Sequence, residues 1–433
     1  MFTYYIDLAL RSLRRNTVLT ALMVLALALG IGASITTLTV LRLLSGDPLP
    51  ARSAQLYYPQ VDPRPALDDP SRARPMPAMS WTDAMNLVNA RKARYQAAMA
   101  LTQAKVMPAK TGERPFFSDA VMTTADFFPM FDVPFRYGSG WSAGEGQARA
   151  RVVVISDALN RKLFAGANSV GRTLRIRDHD FRIVGVLRPW SPQPRFYAVW
   201  LGGRSYGDGD GVFLPLHTAV ADKMSPNNLN CFAAGGDLND LTKAPCIWLG
   251  VWVDLPTASQ ARAYRGFLDN YVHQQIALGR MHRTDVAMPD LMQWMRESHV
   301  VPSDVQLQTW LAFGFLLICV VNTVGLLLAK CLKRSQEIGV RRALGASRRA
   351  VFAQFMVEAS IIGLAGGLLG LLFAELGLWA IRQQPAEYAD LAHLDLGMFA
   401  FTFVVALVSS LLAGVLPAWR ASVLAPAPQL KAS

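Results

Sequence analysis

Residues 305–349 read VQLQTWLAFGFLLICVVNTVGLLLAKCLKRSQEIGVRRALGASRR. The stretch 305–329 carries no charge, and 330–349 carries seven lysines and arginines against one glutamate. An uncharged run of this length suits an α-helix crossing about 30 Å of hydrocarbon, which needs ~20 residues. The basic run that follows marks the cytoplasmic end of such a helix. This one stretch predicts a membrane span and its direction.

Working outward, three further spans follow. Residues 18–41 (VLTALMVLALALGIGASITTLTVL) are uncharged, about 354–381 is uncharged between Glu358 and Glu375, and 396–419 is again apolar. The expected organisation is a cytoplasmic amphipathic helix 1–16, spans 17–44, 305–329, 351–381 and 396–419, and a hydrophilic segment 45–304. A loop 330–350, a short outer loop 382–395 and a tail 420–433 complete it. The fold class is an α-helical membrane protein with four transmembrane helices. A large α+β domain is inserted between helices 1 and 2, long enough to hold its own core. The composition, 52 % hydrophobic with mean hydropathy +0.24, agrees. Residues 1–44 read as an uncleaved anchor, since the apolar run is about twice the usual length for a signal peptide and no A-x-A site follows.

Segments 1–16, 330–350 and 419–433 hold twelve lysines and arginines and only Asp7 and Glu337, nearly all of the chain's net +12. Both termini and the 330–350 loop are therefore expected in the cytoplasm and 45–304 in the periplasm. The charge reports topology and lipid headgroups, and no nucleic-acid partner is expected. Cys231 and Cys246 lie in the outer segment, where a disulfide or two free thiols are the alternatives, the disulfide favoured. Cys319 and Cys331 lie in or below span two and read as ordinary residues.

Phe2, Tyr5, Ile6, Ala9 and Leu13 share one helical face, so a helix along the inner headgroups is expected. In the outer segment, Ser80 opens a helix over 81–90. Residues 151–156 read as a strand and 157–164 as a helix. Residues 172–178 and 180–187 form a hairpin by alternation, 247–255 a strand, and 257–279 a helix with Ala261, Tyr264, Leu268 and Tyr271 on one stripe. Loops are expected at 201–211 and 225–243.

GANSVGRT (166–173) resembles a phosphate-binding loop with Arg172 in place of the lysine. Such a loop needs a strand before and a helix after, and here the order is reversed, so it reads as a turn. GWSAG (140–144) matches a nucleophile elbow, but its flanks look like loops, so Ser142 receives no catalytic role. None of the six histidines (His179, His217, His273, His282, His299, His393) has zinc-site spacing, and no metal is expected. Glu358 and Glu375 are the ionisable groups inside the spans. Both can reach an interface or a partner, Glu358 the juxtamembrane arginines, which favours a structural role. Gly363 with Gly367, and Gly366 with Gly370, form overlapping G-x-x-x-G pairs for close helix packing. Packing within the chain and dimerisation are equally open.

Residues 335–344 predict a short helix. Glu337 and Arg341 form an i, i+4 pair, Val340, Ala343 and Leu344 a small apolar face, Gly345 a stop, and Ser347 a cap for the next helix. Such a helix between two spans is either a docking element or a headgroup-lying connector.

Four stretches together are similar to the MacB/FtsX-like ABC transporter permease family: 7–33, the run from FFPMFDVPFRYGSG (127–140) through VVVISDALNRKLFAGANSVGRTLRIRDHDFRIVGVL (152–187), EIGVRRALGASRRAVFAQFMVEA (337–359), and LPAWRASVLAPAPQLK (416–431). Residues 188–304 depart from it. The resemblance implies an inner-membrane permease that dimerises around its spans with a second copy or a paralogue. Cytoplasmic ATPase subunits would dock on the loop through Glu337, Ile338, Gly339, Val340, Arg341, Arg342, Leu344 and Gly345. With 16 residues before span one, the ATPase is expected on a separate chain. ATP and Mg would bind that partner, and this chain would hold no cofactor and catalyse nothing itself. An adaptor and an outer-membrane channel are further partners the family admits, beside the lipid bilayer. The outer segment would divide into an outer lobe, about 45–128 and 245–304, and an inserted lobe, about 129–244. The expected function is efflux or extraction of an amphiphilic or peptide-like substrate by mechanotransmission. The alternative is an FtsX-like transmitter that regulates a periplasmic hydrolase, and a membrane-anchored periplasmic enzyme would need a catalytic constellation that the sequence does not display.

Overall fold

The computed structural model of the chain describes residues 2–64, 74–108, 112, 114–232, 240–385 and 387–423. They form two compact units, Met1–Leu44 with Val301–Ser433, and Ser45–Val300.

The chain opens with α1 (Phe2–Arg15) and α2 (Thr17–Ser45). The second unit then begins with β1 (Leu56–Tyr57), β2 (Gln60–Val61), α3 (Trp81–Ala90), β3 (Tyr95–Met107) and β4 (Phe116–Thr123). It continues through α4 (Phe127–Met130), β5 (Phe135–Gly138), α5 (Ala143–Gln147), β6 (Val152–Ile155), α6 (Asp157–Phe164), β7 (Thr173–Ile176) and β8 (His179–Leu187). β9 (Val212–Pro215), α7 (Leu216–Ala221), β10 (Asn230–Cys231), β11 (Cys246–Ile247), β12 (Gly250–Asp254), α8 (Ala258–Ala277), β13 (Val286–Ala287) and α9 (Leu291–Glu297) complete it.

One mixed sheet organises this unit, in the order β1-β12-β3-β4-β9-β6-β8-β5, with β7 beside β3 and β8. The pairs β4–β9 and β6–β8 are parallel, and β4–β9 is the seam. On one side of it the strands come from 56–123 and 250–254, on the other from 135–215. β6 and β9 are fully buried and read VVVI and VFLP, the continuous apolar runs of strands covered on both faces. Side-chain caps start the helices. Ser80 accepts the Asp83 N–H at 3.2 Å, Ser156 the Leu159 N–H at 3.2 Å, and Thr257 forms a capping box with Gln260, each worth ~1 kcal/mol. The core is strongly aromatic. Trp252 is fully buried, 5.0 Å from the ring of Tyr58, 5.1 Å from Phe196 and 6.1 Å from Phe131. A buried ion pair sits in the same unit, with Arg195 donating to Asp210 at 2.6 Å and Tyr197 to the other carboxylate oxygen at 2.8 Å. Cys231 and Cys246 pair across β10 and β11 and are joined by a disulfide.

The membrane unit resumes with α10 (Ser303–Lys333), α11 (Ser335–Ala343), α12 (Arg348–Arg382) and α13 (Leu396–Val423). α2, α10, α12 and α13 are each long and apolar enough to cross a bilayer. The glycines of α12 face both sides. A side chain at Gly363 would overlap Ser410 of α13, and one at Gly367 would stand 2.7 Å from the Ala406 Cβ. Gly366 and Gly370 abut Leu27 and Ile31 of α2. All four glycines are thus used by packing within the chain, so any self-association falls to another surface. In α1, Ala9 and Leu13 are buried. The side chains of Phe2, Tyr5 and Ile6, and Lys431 of the tail, lie outside the described residues.

Candidate functional site

One end of the helical unit gathers α1, the end of α10, α11 and the start of α12. α10 stops at Lys333 and α11 begins at Ser335, so Arg334 alone is both the end of one helix and the start of the next. Gly345, at φ +99°, turns the chain after α11, and Ser347 accepts the Ala350 N–H at 3.2 Å to start α12.

The polar groups here form one network. Glu358 is fully buried and accepts hydrogen bonds from the Lys330 ammonium and, at 2.8 Å, from the Ser12 hydroxyl of α1. Arg334 donates to the Ser12 oxygen at 2.6 Å, lies 3.8 Å from the Glu358 carboxylate, and donates to both oxygens of Glu337 at 3.1 and 3.2 Å. Arg341 reaches Glu337 at 2.8 Å and donates to Gln354 of α12 at 3.3 Å. Hydrogen bonds from Arg334, then the charges of Arg334, Arg341 and Arg15, hold the Glu337 carboxyl below its ordinary value. A buried carboxylate with two basic partners is strongly destabilised when one partner is removed, by about 3–5 kcal/mol. The network therefore clamps α11 to three neighbouring elements.

The two faces of α11 differ. Ile338 and Gly339 are buried, Ile338 against Cys331, Val351, Phe355, Ala418 and Ala421. That moves both residues from the expected docking face to the packing face. Val340 and Leu344 are 47 % and 83 % exposed, and Ala343 and Gly345 are exposed beside them. Arg341 and Arg342 are half-buried at the edge. Sequence reasoning placed Glu358 within reach of the juxtamembrane arginines without naming one, and the arginine there is Arg334. That reasoning missed Lys330 and Ser12, which lie 28 and 346 residues away in sequence. Glu375 is paired with Arg382 at 2.7 Å.

The catalytic-looking motifs have structural uses. Residues 166–172 turn from α6 into β7, with Ser169 buried and donating to Asn160 at 2.6 Å. The flanks of GWSAG, expected as loops, are the strand β5 and the short helix α5. Ser142 caps that helix, accepting the Glu145 N–H at 3.2 Å and donating to its carboxylate at 2.9 Å. Elements of four and five residues are too short for periodicity to reveal. Among the described residues, no group of three or more His, Cys, Asp or Glu side chains is arranged to hold a metal.

Two family descriptions match the chain: a MacB-like periplasmic core domain over 20–262 and an FtsX-like permease C-terminal region over 310–426. The pyoverdine export ATP-binding/permease protein PvdT of Pseudomonas aeruginosa is 25 % identical over 74 % of this chain and 44 % of its own length. The macrolide export ATP-binding/permease protein MacB of Bdellovibrio bacteriovorus is 23 % identical over 68 % of the chain and 41 % of its own length. The ABC transporter permease YvrN of Bacillus subtilis is 23 % identical over 71 % and 68 %. The chain thus spans less than half the length of the first two. The periplasmic region of MacB from Actinobacillus actinomycetemcomitans matches with TM-score 0.38 and 12 % identity, over 59 % of this chain and 97 % of that one. With a MacB-like core domain lying largely between its first two long apolar helices and an FtsX-like region over the rest, the chain belongs to the MacB/FtsX-like family and is a permease of the ABC transporter type.

Proposed function

We propose that this chain is the transmembrane subunit through which a separate cytoplasmic ATPase drives motion of the Ser45–Val300 unit. In this reading the chain sits in a bacterial inner membrane with both termini and α11 in the cytoplasm. ATP and Mg bind the partner. The single observation that carries the reading is the two-sidedness of α11. Its apolar tip, Val340, Ala343 and Leu344, is exposed, and its other side is tied by ions and hydrogen bonds to α1, α10 and α12. A partner seated on the tip gains apolar contact, and its movement passes into the spans through paired charges.

Among the described residues the spans carry few ionisable groups, and Glu358 and Glu375 are both engaged. This favours a substrate that is moved on the outer side, by mechanotransmission, over one that passes among these helices. Relatives named for macrolide and pyoverdine export support an amphiphilic or peptide-like cargo that is expelled or extracted.

A second copy or paralogue is part of the reading. Leu307, Leu311, Gly314, Ile318, Asn322 and Gly325 recur along one exposed face of α10. Nothing lies within 4 Å of a side chain placed at Gly314 or Gly325. The side-chain amide of Asn322 has no hydrogen-bond partner among the described residues, and an amide in a bilayer gains from a partner on a neighbouring helix. The test is Arg341→Glu combined with Leu344→Asp in the full chain, purified from its native membrane. An ATP-binding subunit is expected to accompany the unaltered chain and to be lost from the double variant, while membrane insertion is unchanged. Equal recovery of that subunit with both chains refutes the reading.

A further inference from the structure

Most arginines of the Ser45–Val300 unit lie within 4 Å of a carboxylate, as Arg136 does with Asp157, Arg151 with Asp222 and Arg204 with Asp119. Arg91 and Arg94 are exposed and have no such partner among the described residues. Arg94 lies 5.3 Å from the ring of Tyr95. Both arginines line one cleft of about 310 Å³, built from the end of α3, the turn into β3, the end of β4, α5 and the start of α7. That size is at the lower end for small-molecule sites, which run from about 300 to 1,000 Å³.

The rest of the lining is mixed. Met85, Val88 and Leu216 supply apolar surface. Asp126 is the one acidic residue of the lining, and its carboxylate accepts the Gln96 N–H at 3.0 Å. His217 stands edge-on to Trp81 at 5.1 Å. Burial, and then the charge of Arg149, push its imidazole pKa down, so at neutral pH it adds an uncharged polar edge. Two guanidiniums with no carboxylate within 4 Å among the described residues, beside an apolar wall, are complementary to an anion that carries a hydrophobic body. Guanidinium donors match a carboxylate in a two-pronged geometry. The Asp126 charge weakens the attraction for a dianion and leaves a monoanion favoured.

We propose that this cleft binds a small monoanionic, carboxylate-bearing amphiphile, its carboxylate held by Arg91 and Arg94 and its apolar part set against Met85, Val88 and Leu216. The inference stands on the outer unit alone. ATPase docking on α11 can fail while this binding holds, and the reverse.

The experiment is calorimetric titration of the full chain in lipid nanodiscs with 4-phenylbutyrate, and with 4-phenylbutanol and 4-phenylbutylamine as controls of the same shape. The carboxylate is expected to bind at least tenfold more tightly than either control. Arg91→Gln with Arg94→Gln is expected to remove that preference, and unchanged thermal melting shows that the fold is intact. Ala143→Phe, which fills the cleft and leaves every charge in place, is expected to abolish binding and covers the case in which the double variant does not fold. Equal binding of the amine, full binding by the double variant or by Ala143→Phe, or no binding of the carboxylate at millimolar concentration overturns the proposal.

Discussion

Trp252 and Gly363 are both buried, and they hold their units together by opposite means. Trp252 fills space. It is ringed by Tyr58, Phe131 and Phe196, and its value is the apolar area it withdraws from water. Gly363 leaves space. Its missing side chain lets α12 approach Ser410 of α13, in surroundings where lipid tails are as apolar as leucine and helices associate through close packing and polar contacts. A third device is the charged clasp around Glu358 within the helical unit. A sequence reader who weighs only hydrophobicity sees the first device, underrates the second and misses the third.

The largest expected effect tests the second device. Gly363→Leu should prevent α12 and α13 from packing, with no folded chain recovered in mild detergent. Gly266→Leu, in α8 where nothing lies within 4 Å of an added side chain, should leave thermal melting of the helical signal nearly unchanged. Equal loss in both variants would show that close approach is not what glycine provides here. A smaller effect tests the first device. Trp252→Ala should destabilise the Ser45–Val300 unit by about 3–5 kcal/mol, read as an earlier denaturant midpoint for tryptophan fluorescence in the full chain.

The smallest effect lies at the clasp. The Glu337 carboxyl is held below its ordinary value. Its stabilisation of α11 is therefore complete above the free-glutamate range, about 4.3, and is lost as pH falls through the lowered folded value. Hydrogen exchange of the α11 amides, corrected for intrinsic rates, should accelerate in that acid range. The acceleration should be absent from Glu337→Gln, whose exchange is already faster at neutral pH.

Much of the architecture was legible because its signals are local. The four spans follow from uncharged length. The helices at 81–90 and 157–164 follow from Ser80 and Ser156, and the β7–β8 hairpin from alternation. The strand β3 was not legible. Its sequence YQAAMALTQAKVM is rich in alanine, methionine and glutamine, which favour helices in isolation. Its first half is buried on both faces between β12 and β4, so sheet context overrides propensity. The expected strand 247–255 divides into β11 and β12, with Leu249 between them bridging to Met79, a partner 170 residues away in the chain. At the candidate site, α11 was visible through its charge pair and its glycine stop. The inward turn of Ile338 was not, because it depends on Phe355 and Ala421, residues that no short window contains.

Arg334 is the only residue between α10 and α11. A joint of one amino acid has no slack. Twisting α11 without disturbing α10 requires rotation about the φ and ψ of that residue, and its guanidinium is already fastened to Ser12 and Glu337. Torque applied to the short helix must either break those fastenings or turn a membrane helix more than thirty residues long, so lengthening the joint by a few glycines would act as a clutch.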